Sequence, residues 1–231
     1  MIKEFAAGTT ILVDKPLEWT SFDVVNKLRW HLRKRLGVKK LKVGHAGTLD
    51  PLATGLLVIC IGKHTKLIEG LMGGEKTYTG TFLVGKTTPS YDLESEYDQE
   101  FDTNHITPEL IEEIRLSFIG EQDQIPPIFS AKKINGKRAY ESARAGEEVV
   151  MKPNKIEISK FTVDDSDFPR VKFELSCSKG TYIRAVASDF GKKLNSGATL
   201  IELRRTASGS ASIENSKSVE DWIEFIEASP L

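Results

Sequence analysis

The stretch "GHAGTLDPLATG", residues 44–55, combines residues that can do chemistry with residues that bend the chain. It holds one carboxylate, Asp50, one imidazole, His45, and three glycines, and the apolar run "LLVICIG" follows at once. An Asp-Pro pair indicates a turn, because the residue before a proline is pushed towards extended geometry. Three glycines in so short a loop predict close approach of another group to the backbone. An aspartate that only forms the turn is the alternative.

The surroundings of Asp50 exclude two common uses of a carboxylate. No second acid or histidine stands at the spacing of a glycosidase pair or a hydrolytic triad. We therefore expect Asp50 to act without a metal. Cys60 and Cys177 both lie in apolar runs, which favours buried, reduced thiols over a disulfide or a metal site.

Residues 80–87, "GTFLVGKT", match the phosphate-loop pattern G-x-x-x-x-G-K-[ST]. That motif needs a strand before the first glycine, a loop between the glycines, and a helix that begins at the Lys-Thr pair. Here "TFLV" is itself strand-like, and "TPSYDLESEYD" follows with a proline and clustered acids. An NTPase therefore stays a minor alternative.

Charge is unevenly distributed along this chain of 231 residues, whose net charge is -1. Residues 27–42 hold eight Lys or Arg and no acid, whereas residues 91–102 hold six acids and no base. The basic run indicates either a nucleic-acid-binding face or a solvated helix surface. The longest uncharged apolar run, Leu56 to Ile61, is far shorter than the roughly 20 residues that cross a bilayer. We therefore expect a soluble, cytoplasmic protein with no membrane partner.

Strand and helix patterns alternate along the chain, and 39% hydrophobic residues suffice for a sizeable core. The pattern predicts a mixed α/β or α+β fold in one domain. The helix from Ser21 to Leu36, with Ser21 as its cap, carries the basic run. Predicted strands are 9–16, 56–62, 76–85, 170–178 and 199–207, and the other predicted helices are 107–118 (capped by Thr107), 181–194 and 219–226.

Several segments resemble motifs of the TruB-type tRNA pseudouridine synthases, in the order found in that family. "GHAGTLDPLATGLL" resembles the catalytic-aspartate motif. "DKPLEWTSFDVV" (14–25) resembles the N-terminal motif K-P-x-G-x-T-S-x-D-V-V. The remaining likenesses are "KTYTG" (76–80) to the tyrosine motif, "QIPPIFSAKKINGKRAYESARAG" (124–146) to the RNA-binding insertion, and "CSKGTYIRAVASDFG" and "LRRTASG" to the late motifs.

The resemblance implies that a uridine in the T-loop of tRNA, conventionally position 55, is isomerised to pseudouridine. The N-glycosidic bond breaks, the uracil turns, and C5 bonds to C1′, so no cofactor and no metal are expected. Routes through a ribose adduct, a base adduct and a glycal stay open. A noncatalytic RNA-binding or RNA-folding module on the same scaffold is the alternative function.

The resemblance also implies roles for individual residues. Asp50 matches the catalytic aspartate, Arg184 the arginine that pairs with it, and Tyr78 the tyrosine that stacks on the flipped uracil. Tyr182 matches an active-site tyrosine, and Leu203 an apolar wall that keeps water from the detached base. His45 matches a histidine that shapes the RNA loop, although a general-base role stays open. Further substrate-binding residues are expected in the insertion: Lys133, Lys137, Arg138, Tyr140 and Arg144.

For Lys137 and Arg138, a solvated amphipathic helix is the alternative to RNA binding. Two departures from the family pattern lie near Asp50: Glu18 replaces a usual glycine and Ala46 a common threonine, so slightly altered loop geometry is expected.

The implied fold is the pseudouridine-synthase fold, a largely antiparallel mixed β-sheet with flanking helices and a central RNA-binding cleft. We expect one catalytic domain over residues 1–231, with an insertion at about 122–152 and a short C-terminal tail at about 210–231. Since only about 20 residues follow "LRRTASG", a C-terminal PUA domain is not expected. We then expect weaker binding to the acceptor-stem side of tRNA, with the insertion and the basic helix carrying more of the binding. The expected partner is tRNA, at its T-loop and T-arm. No obligate protein partner is expected, and the predicted state is a monomer.

Overall fold

The computed structural model describes residues 2–129 and 151–230, and the backbone alone at residues 133–134 and 137–138. Its contacts divide the chain into two compact units. The first unit comprises Met1–Tyr78 and Leu203–Leu231, and the second comprises Thr79–Glu202. Two strands, β4 (Lys76–Val84) and β12 (Ala198–Ser208), contribute residues to both units. The expectation of one catalytic domain stays a prediction.

The first unit is a sheet with helices packed against it, in the strand order β14-β1-β3-β12 and with β2 added to β3. Strand β1 is antiparallel to β3 along its whole length, and β12 is parallel to the start of β3. The strands are β1 (Gly8–Lys15), β2 (Val43–His45), β3 (Ala53–Gly62), β13 (Ala211–Ser212) and β14 (Lys217–Ser218). The helices are α1 (Ile2–Ala7), α2 (Ser21–Leu36), α3 (Ile68–Met72) and α6 (Val219–Ala228), with 3-10 turns at Lys63–Leu67 and Ile213–Asn215.

The core of the first unit lies between its sheet and helices α2 and α6. Val24, Leu28 and Leu32 recur at helical spacing on α2 and are fully buried. They pack against the apolar faces of β1 and β3 and against Val219 and Ile226 of α6. A helix with one apolar stripe gains its stability from this burial rather than from propensity alone.

The second unit has the strand order β4-β11-β10-β7, with β12 on the other side of β4. Its further strands are β5 (Lys86–Thr87), β6 (Gln99–Glu100), β7 (Gly120–Gln124), β8 (Lys133–Ile134), β9 (Lys137–Arg138), β10 (Asn154–Asp167) and β11 (Arg170–Cys177). Its helices are α4 (Pro108–Leu116) and α5 (Ile183–Lys193).

The predicted strands and helices are confirmed, with two corrections at helix ends. The N-cap of α2 is Thr20, not Ser21: the Thr20 hydroxyl accepts from the Asp23 N–H, and the Asp23 carboxylate accepts from the Thr20 N–H. This reciprocal pair is a capping box. Helix α4 begins after Thr107 as predicted but ends at Leu116.

The structure also shows whether the phosphate-loop match forms that motif and whether the two cysteines are buried. The first five residues of the match lie inside β4, and Lys86 and Thr87 form β5, a strand where the motif needs a helix. Cys60 and Cys177 are buried and do not form a disulfide, as predicted. None of the described helices is both long and apolar enough to span a bilayer.

Phenylalanines fill the core of the second unit. The Phe82 ring stacks on Phe173 with 4.3 Å between centroids. It also contacts the rings of Phe161 and Phe190. The Phe82 side chain therefore joins strands β4, β10 and β11 and helix α5.

We expect Phe82→Ala to lower the free energy of unfolding by about 3–5 kcal/mol, because it removes a fully buried ring and leaves a cavity. Urea unfolding followed by circular dichroism measures this. Phe22→Ala is the control, because Phe22 is 60% exposed and its loss should cost less than about 0.5 kcal/mol. Equal losses in the two variants would contradict this account of the core.

Candidate active site

Asp50 lies in the first unit, on the loop that joins β2 to β3. The Ala53 N–H donates to the Asp50 carbonyl at 3.1 Å, which closes the turn that Asp50-Pro51 was expected to form. The Asp50 residue is half-buried. The parallel register of β3 and β12 pairs Leu203 with Ala53, so Leu203 lies beside the end of this loop.

A buried lysine holds one side of the loop. Lys15, at the end of β1, is 0% exposed, and its ammonium donates to three carbonyls. These belong to Pro16 at 2.9 Å, Trp19 at 2.5 Å and Pro51 at 3.3 Å. Burial lowers the pKa of Lys15 to about 8, and the negative charge of Asp50 acts in the opposite direction.

A buried arginine holds the other side of the loop. Arg205 of β12 is 1% exposed, and within the described residues its guanidinium donates to three backbone oxygens. Nε bonds to the Leu56 carbonyl at 2.8 Å, and the terminal nitrogens to Thr48 at 3.4 Å and Gly47 at 3.1 Å. The planar fork of arginine suits such divergent acceptors.

A hydroxyl completes the attachment of the loop. Ser21 Oγ accepts from the Leu49 N–H at 2.8 Å and donates to the Leu49 carbonyl at 3.2 Å. The first turn of α2 is therefore fixed to the residue before Asp50. Lys15, Ser21 and Arg205 all lie in the motifs that carry the family resemblance, but sequence reasoning singled out none of them as supports of this loop.

Two glycines of the stretch 44–55 are closely approached by other parts of the protein, in agreement with the predicted close approach of another group to the backbone. Gly55 has φ of 101°, and a Cβ there would lie 2.3 Å from the Arg205 carbonyl oxygen. A Cβ at Gly44 would lie 2.9 Å from Cδ1 of Ile68. These glycines let β12 and the segment after β3 pack closely on the loop.

Glu18 lies in the left-handed region, with φ of 66°. Glycine adopts this conformation without strain, which explains the usual glycine at the matching motif position. The Glu18 N–H donates to the Pro51 carbonyl at 2.9 Å, so the residue makes a contact with the Asp50 loop. Glu18 thus adopts a backbone conformation typical of glycine while it contacts the Asp50 loop.

His45 and Tyr78 also lie in the first unit, on β2 and β4. His45 Nδ1 is buried and has no hydrogen-bond partner within the described part of the chain. Burial, and then the charge of Arg205, lower the pKa of His45, so the imidazole is neutral at neutral pH. Tyr78 is 9% exposed.

Arg184 and Tyr182 lie in the second unit, at the start of α5. Arg184 Nε lies 3.4 Å from a carboxylate oxygen of Asp92, and both side chains are nearly buried. One terminal nitrogen of Arg184 also donates to the carbonyls of Ser90 and Phe129, at 3.3 and 3.1 Å. Tyr182 exchanges two backbone bonds with the Gln124 side chain, which fixes the start of the helix.

Asp92 is a site residue that sequence reasoning missed. It belongs to the acidic run 91–102, and the sequence does not distinguish it from the other acids of that run, which are expected to be solvated. Its carboxylate also accepts from the Glu94 N–H at 3.0 Å, and its carbonyl accepts from Thr88 and Ser90 hydroxyls. The segment after β5 is thereby folded around Asp92.

The expected residues of the insertion are only partly described. Strands β8 and β9 pair Lys133 with Arg138, so Lys137 and Arg138 lie in a short strand rather than in the helix that was the alternative. Tyr140 and Arg144 lie outside the described residues. Within the described ranges, no group of three or more His, Cys, Asp or Glu could hold a metal ion.

We expect Lys15→Met to lower the free energy of unfolding at pH 7 by about 3 kcal/mol, because the carbonyls of Pro16, Trp19 and Pro51 lose the hydrogen bonds that Lys15 donates. Urea unfolding measures this loss. Lys3→Met is the control, because Lys3 is exposed and should cost less than about 0.5 kcal/mol.

Lys15 also makes the stability of the wild-type protein depend on pH. Between pH 8 and the ordinary lysine pKa of 10.5, the unfolded chain binds more protons at this residue than the folded chain. The Lys15 contribution therefore rises with pH across that window and is constant below it. Urea unfolding at pH 7.5 and 9.5 should show a larger deficit of Lys15→Met at the higher pH, and an equal deficit would contradict the lowered pKa.

We expect Asp92→Asn to lower the free energy of unfolding by about 3 kcal/mol, because it removes the charge of one partner in a buried ion pair. Thermal or urea unfolding measures the loss. The matched control is Asp189→Asn, whose ion pair with Lys192 is exposed and should be worth less than about 1 kcal/mol. A small effect at Asp92 would show that the other acceptors suffice for Arg184.

Comparison with known proteins gives matches over almost the whole chain. The chain is 52% identical over 223 residues to the tRNA pseudouridine synthase B of Phocaeicola vulgatus, covering 96% of this chain and 95% of that protein. It is 54% identical over 214 residues to the tRNA pseudouridine synthase B of Flavobacterium johnsoniae, covering 92% and 93%.

A solved structure and a family description agree with these relatives. In the crystal structure of a Cbf5-Nop10-Gar1 complex, one chain matches with a TM-score of 0.73 and 26% identity, over 97% of this chain and 56% of that one. The family description "TruB family pseudouridylate synthase (N terminal domain)" matches residues 33–183. The predicted family and the mixed α/β fold are thereby confirmed, and the chain belongs to the TruB family of pseudouridylate synthases.

Proposed function

We propose that this chain isomerises a uridine of tRNA to pseudouridine, with the T-loop uridine at conventional position 55 as its target. The identity of about half of all residues to proteins named tRNA pseudouridine synthase B supports the reaction and the class of substrate. The choice of the T-loop follows from the motif resemblance. Among the structural observations, the fixed loop that carries Asp50 is the main support for this proposal.

Asp50 is the proposed chemical group of the reaction. Its loop is fixed by Lys15, Ser21 and Arg205, so the carboxylate is held by the scaffold rather than by a flexible turn. Preorganisation of this kind removes reorganisation that the reaction would otherwise require.

The target base has to leave its stack before the glycosidic bond can be reached. Tyr78 offers a flat ring for the flipped uracil, and Leu203 offers an apolar wall beside the Asp50 loop. His45 is neutral and has a buried ring nitrogen with no hydrogen-bond partner among the described residues. A neutral ring suits packing against nucleotides, and RNA shaping is the role that we propose for His45.

The remaining assignments rest on the resemblance. Arg184 and Tyr182 keep the catalytic roles that the motif implies, and the Asp92 carboxylate restricts the orientation of the Arg184 guanidinium. Lys133, Lys137, Arg138, Tyr140 and Arg144 are the proposed RNA contacts of the insertion. The central RNA-binding cleft and the monomeric state are likewise proposals.

The reaction is an isomerisation whose atoms balance within the nucleotide and water. The bond between N1 and C1′ breaks, a bond between C5 and C1′ forms, the C5 proton leaves to solvent, and N1 gains a proton. Tritium placed at C5 of uridine is therefore released once per turnover. Release of this label gives a direct readout.

We expect Asp50→Asn to lower tritium release from C5-tritiated tRNA by about 10³-fold or more, because it removes the reacting carboxylate but keeps the shape of the side chain. Asp14→Asn is the matched control. Asp14 pairs with Arg204 at 2.6 Å and lies in the same unit, but it has no assigned part in the reaction.

Wild-type protein that releases no tritium without added partners would overturn the proposed activity. Full release by Asp50→Asn would instead overturn the assignment of Asp50. Filter binding of tRNA to both variants shows whether the loss lies in chemistry, since Asp50→Asn should keep its affinity within a few-fold. RNA binding without turnover would favour the noncatalytic RNA-binding module.

A further inference from the structure

Helix α5 differs from α2, α4 and α6 in the way its first turn is held. Its N-cap is Tyr182, which makes no side-chain cap hydrogen bond within the described residues. The side chains of Thr20, Thr107 and Ser218 cap the other three helices. The first N–H groups of a helix have no partner within the helix, so a cap helps to define where the helix starts. The start of α5 therefore has to be defined by another part of the second unit.

Gln124, the last residue of β7, holds the start of α5. Its Nε2 donates to the Tyr182 carbonyl at 3.0 Å, and its Oε1 accepts from the Tyr182 N–H at 2.8 Å. An amide carries donor and acceptor in one plane, so these two bonds together fix the orientation of the Tyr182 backbone. The Tyr182 carbonyl also accepts the first bond of the helix, from the Val186 N–H at 3.1 Å. Gln124 thus holds the residue from which α5 begins.

The Gln124 side chain is buried, which separates its role from direct RNA binding. The residue is 3% exposed, and a buried amide is costly unless its polar atoms are hydrogen-bonded. Among the described residues, both hydrogen bonds of this side chain go to Tyr182. Any effect of Gln124 on the reaction therefore has to pass through Tyr182 and the helix that it starts.

Arg184, two residues after Tyr182, depends on where α5 starts. Its Nε lies 3.4 Å from a carboxylate oxygen of Asp92. One terminal nitrogen donates to the carbonyls of Ser90 and Phe129, at 3.3 and 3.1 Å. All three acceptors lie outside α5, so a shift of the helix start would change all three distances together. The orientation of the guanidinium thus depends on the backbone that Gln124 holds.

The segment 124–129 contacts the start of α5 at both of its ends. At Gln124 the contact is with the Tyr182 backbone, and at Phe129 it is with the Arg184 guanidinium. Gln124 is itself held by the sheet, because it pairs with β10 at the end of β7. Its amide is therefore a polar link between the sheet of the second unit and the first turn of α5.

We propose that Gln124 is a positioning residue: its amide fixes the Tyr182 peptide group and thereby the orientation of the Arg184 guanidinium that the reaction requires. This inference rests on the proposed function for the reaction and for the role of Arg184. A displacement of about 1 Å in a catalytic arrangement can cost on the order of 10²-fold in rate. Gln124 thus acts on the rate of the chemical step and not on the affinity for tRNA.

Gln124→Met is the first test, because methionine has a similar length but neither donates nor accepts a strong hydrogen bond. We expect kcat for tritium release to fall about 30-fold, while KM and the Kd for tRNA stay within about threefold. Single-turnover release with saturating enzyme measures the chemical step, and filter binding measures Kd. Rates are compared at a temperature where circular dichroism shows each variant to be folded. Wild-type kcat in the folded variant, or a loss confined to tRNA affinity, would overturn the proposal.

Gln124→Glu supplies a readout that a loss of packing would not produce. As a carboxylate, the new side chain accepts from the Tyr182 N–H but has no proton for the Tyr182 carbonyl. As a protonated acid it makes both bonds, and burial favours this form. We therefore expect its kcat, divided by the wild-type kcat at the same pH, to rise about fivefold or more from pH 8 to pH 6. A ratio that does not change with pH would contradict the role of the two Tyr182 bonds.

Gln122 offers the matched control, since it lies on the same strand two residues earlier. Its amide donates to the Phe118 carbonyl at 2.6 Å, ahead of β7, instead of to the start of α5. Gln122→Met should keep kcat within about twofold, and the kcat ratio of Gln122→Glu should not depend on pH. Equal losses of kcat at the two positions would overturn the proposal in favour of a general effect of altering β7.

The orientation of Arg184 can also be followed without turnover. In the nuclear magnetic resonance spectrum of isotope-labelled protein, the Arg184 Nε–H signal is assigned by its loss in Arg184→Lys. We expect this signal to shift in Gln124→Met and to keep its position in Gln122→Met. An unchanged signal in Gln124→Met would overturn this inference, even if tritium release by the wild type supports the isomerase. A shifted signal without tritium release by the wild type would support the link from Gln124 to Arg184 and overturn the proposed function instead.

Discussion

The backbone carbonyls of the Asp50 loop face two buried cations, and this constraint organises the first unit. Lys15 and Arg205 donate to Gly47, Thr48, Pro51 and their neighbours from opposite sides. A buried cation is costly unless its donors are satisfied, and a buried carbonyl is costly unless it has a donor. Each hydrogen bond therefore reduces the cost of burying both its cation and its carbonyl.

This arrangement depends on the order of the strands. Lys15 ends β1 and Arg205 lies in β12, about 190 residues apart in sequence, and β3 lies between these two strands. The pairing of Lys15 with Gly55 and of Arg205 with Gly55 places both side chains at the start of β3. The sheet thus buries apolar residues and also places two cations at one turn. Asp50 lies half-buried in the same turn.

Much of the fold was predictable because its signals are local. Alternating Val171, Phe173 and Leu175 predicted β11, and the apolar stripe of α2 predicted that helix. Capping was less predictable, since Thr20 and Ser21 are adjacent and both suit an N-cap. The choice depends on Asp23, which completes the capping box with Thr20, and on Leu49, which takes the Ser21 hydroxyl.

The candidate site was predictable only where a motif resembled a known one. The role of Gly55 and the partner of Arg184 depend on residues distant in sequence, and periodicity carries no information about them. Gly55 is needed because the Arg205 backbone lies against it. Asp92 is hidden among six acids in twelve residues, and only its burial beside Arg184 distinguishes it.

The buried cations around the candidate site have two different kinds of partner, and the difference between them bears on function. Lys15 and Arg205 are buried against backbone carbonyls. A carboxylate at the same place would compete with the carbonyls of the Asp50 loop for these two cations. Arg184 is buried against the carboxylate of Asp92, which restricts its orientation.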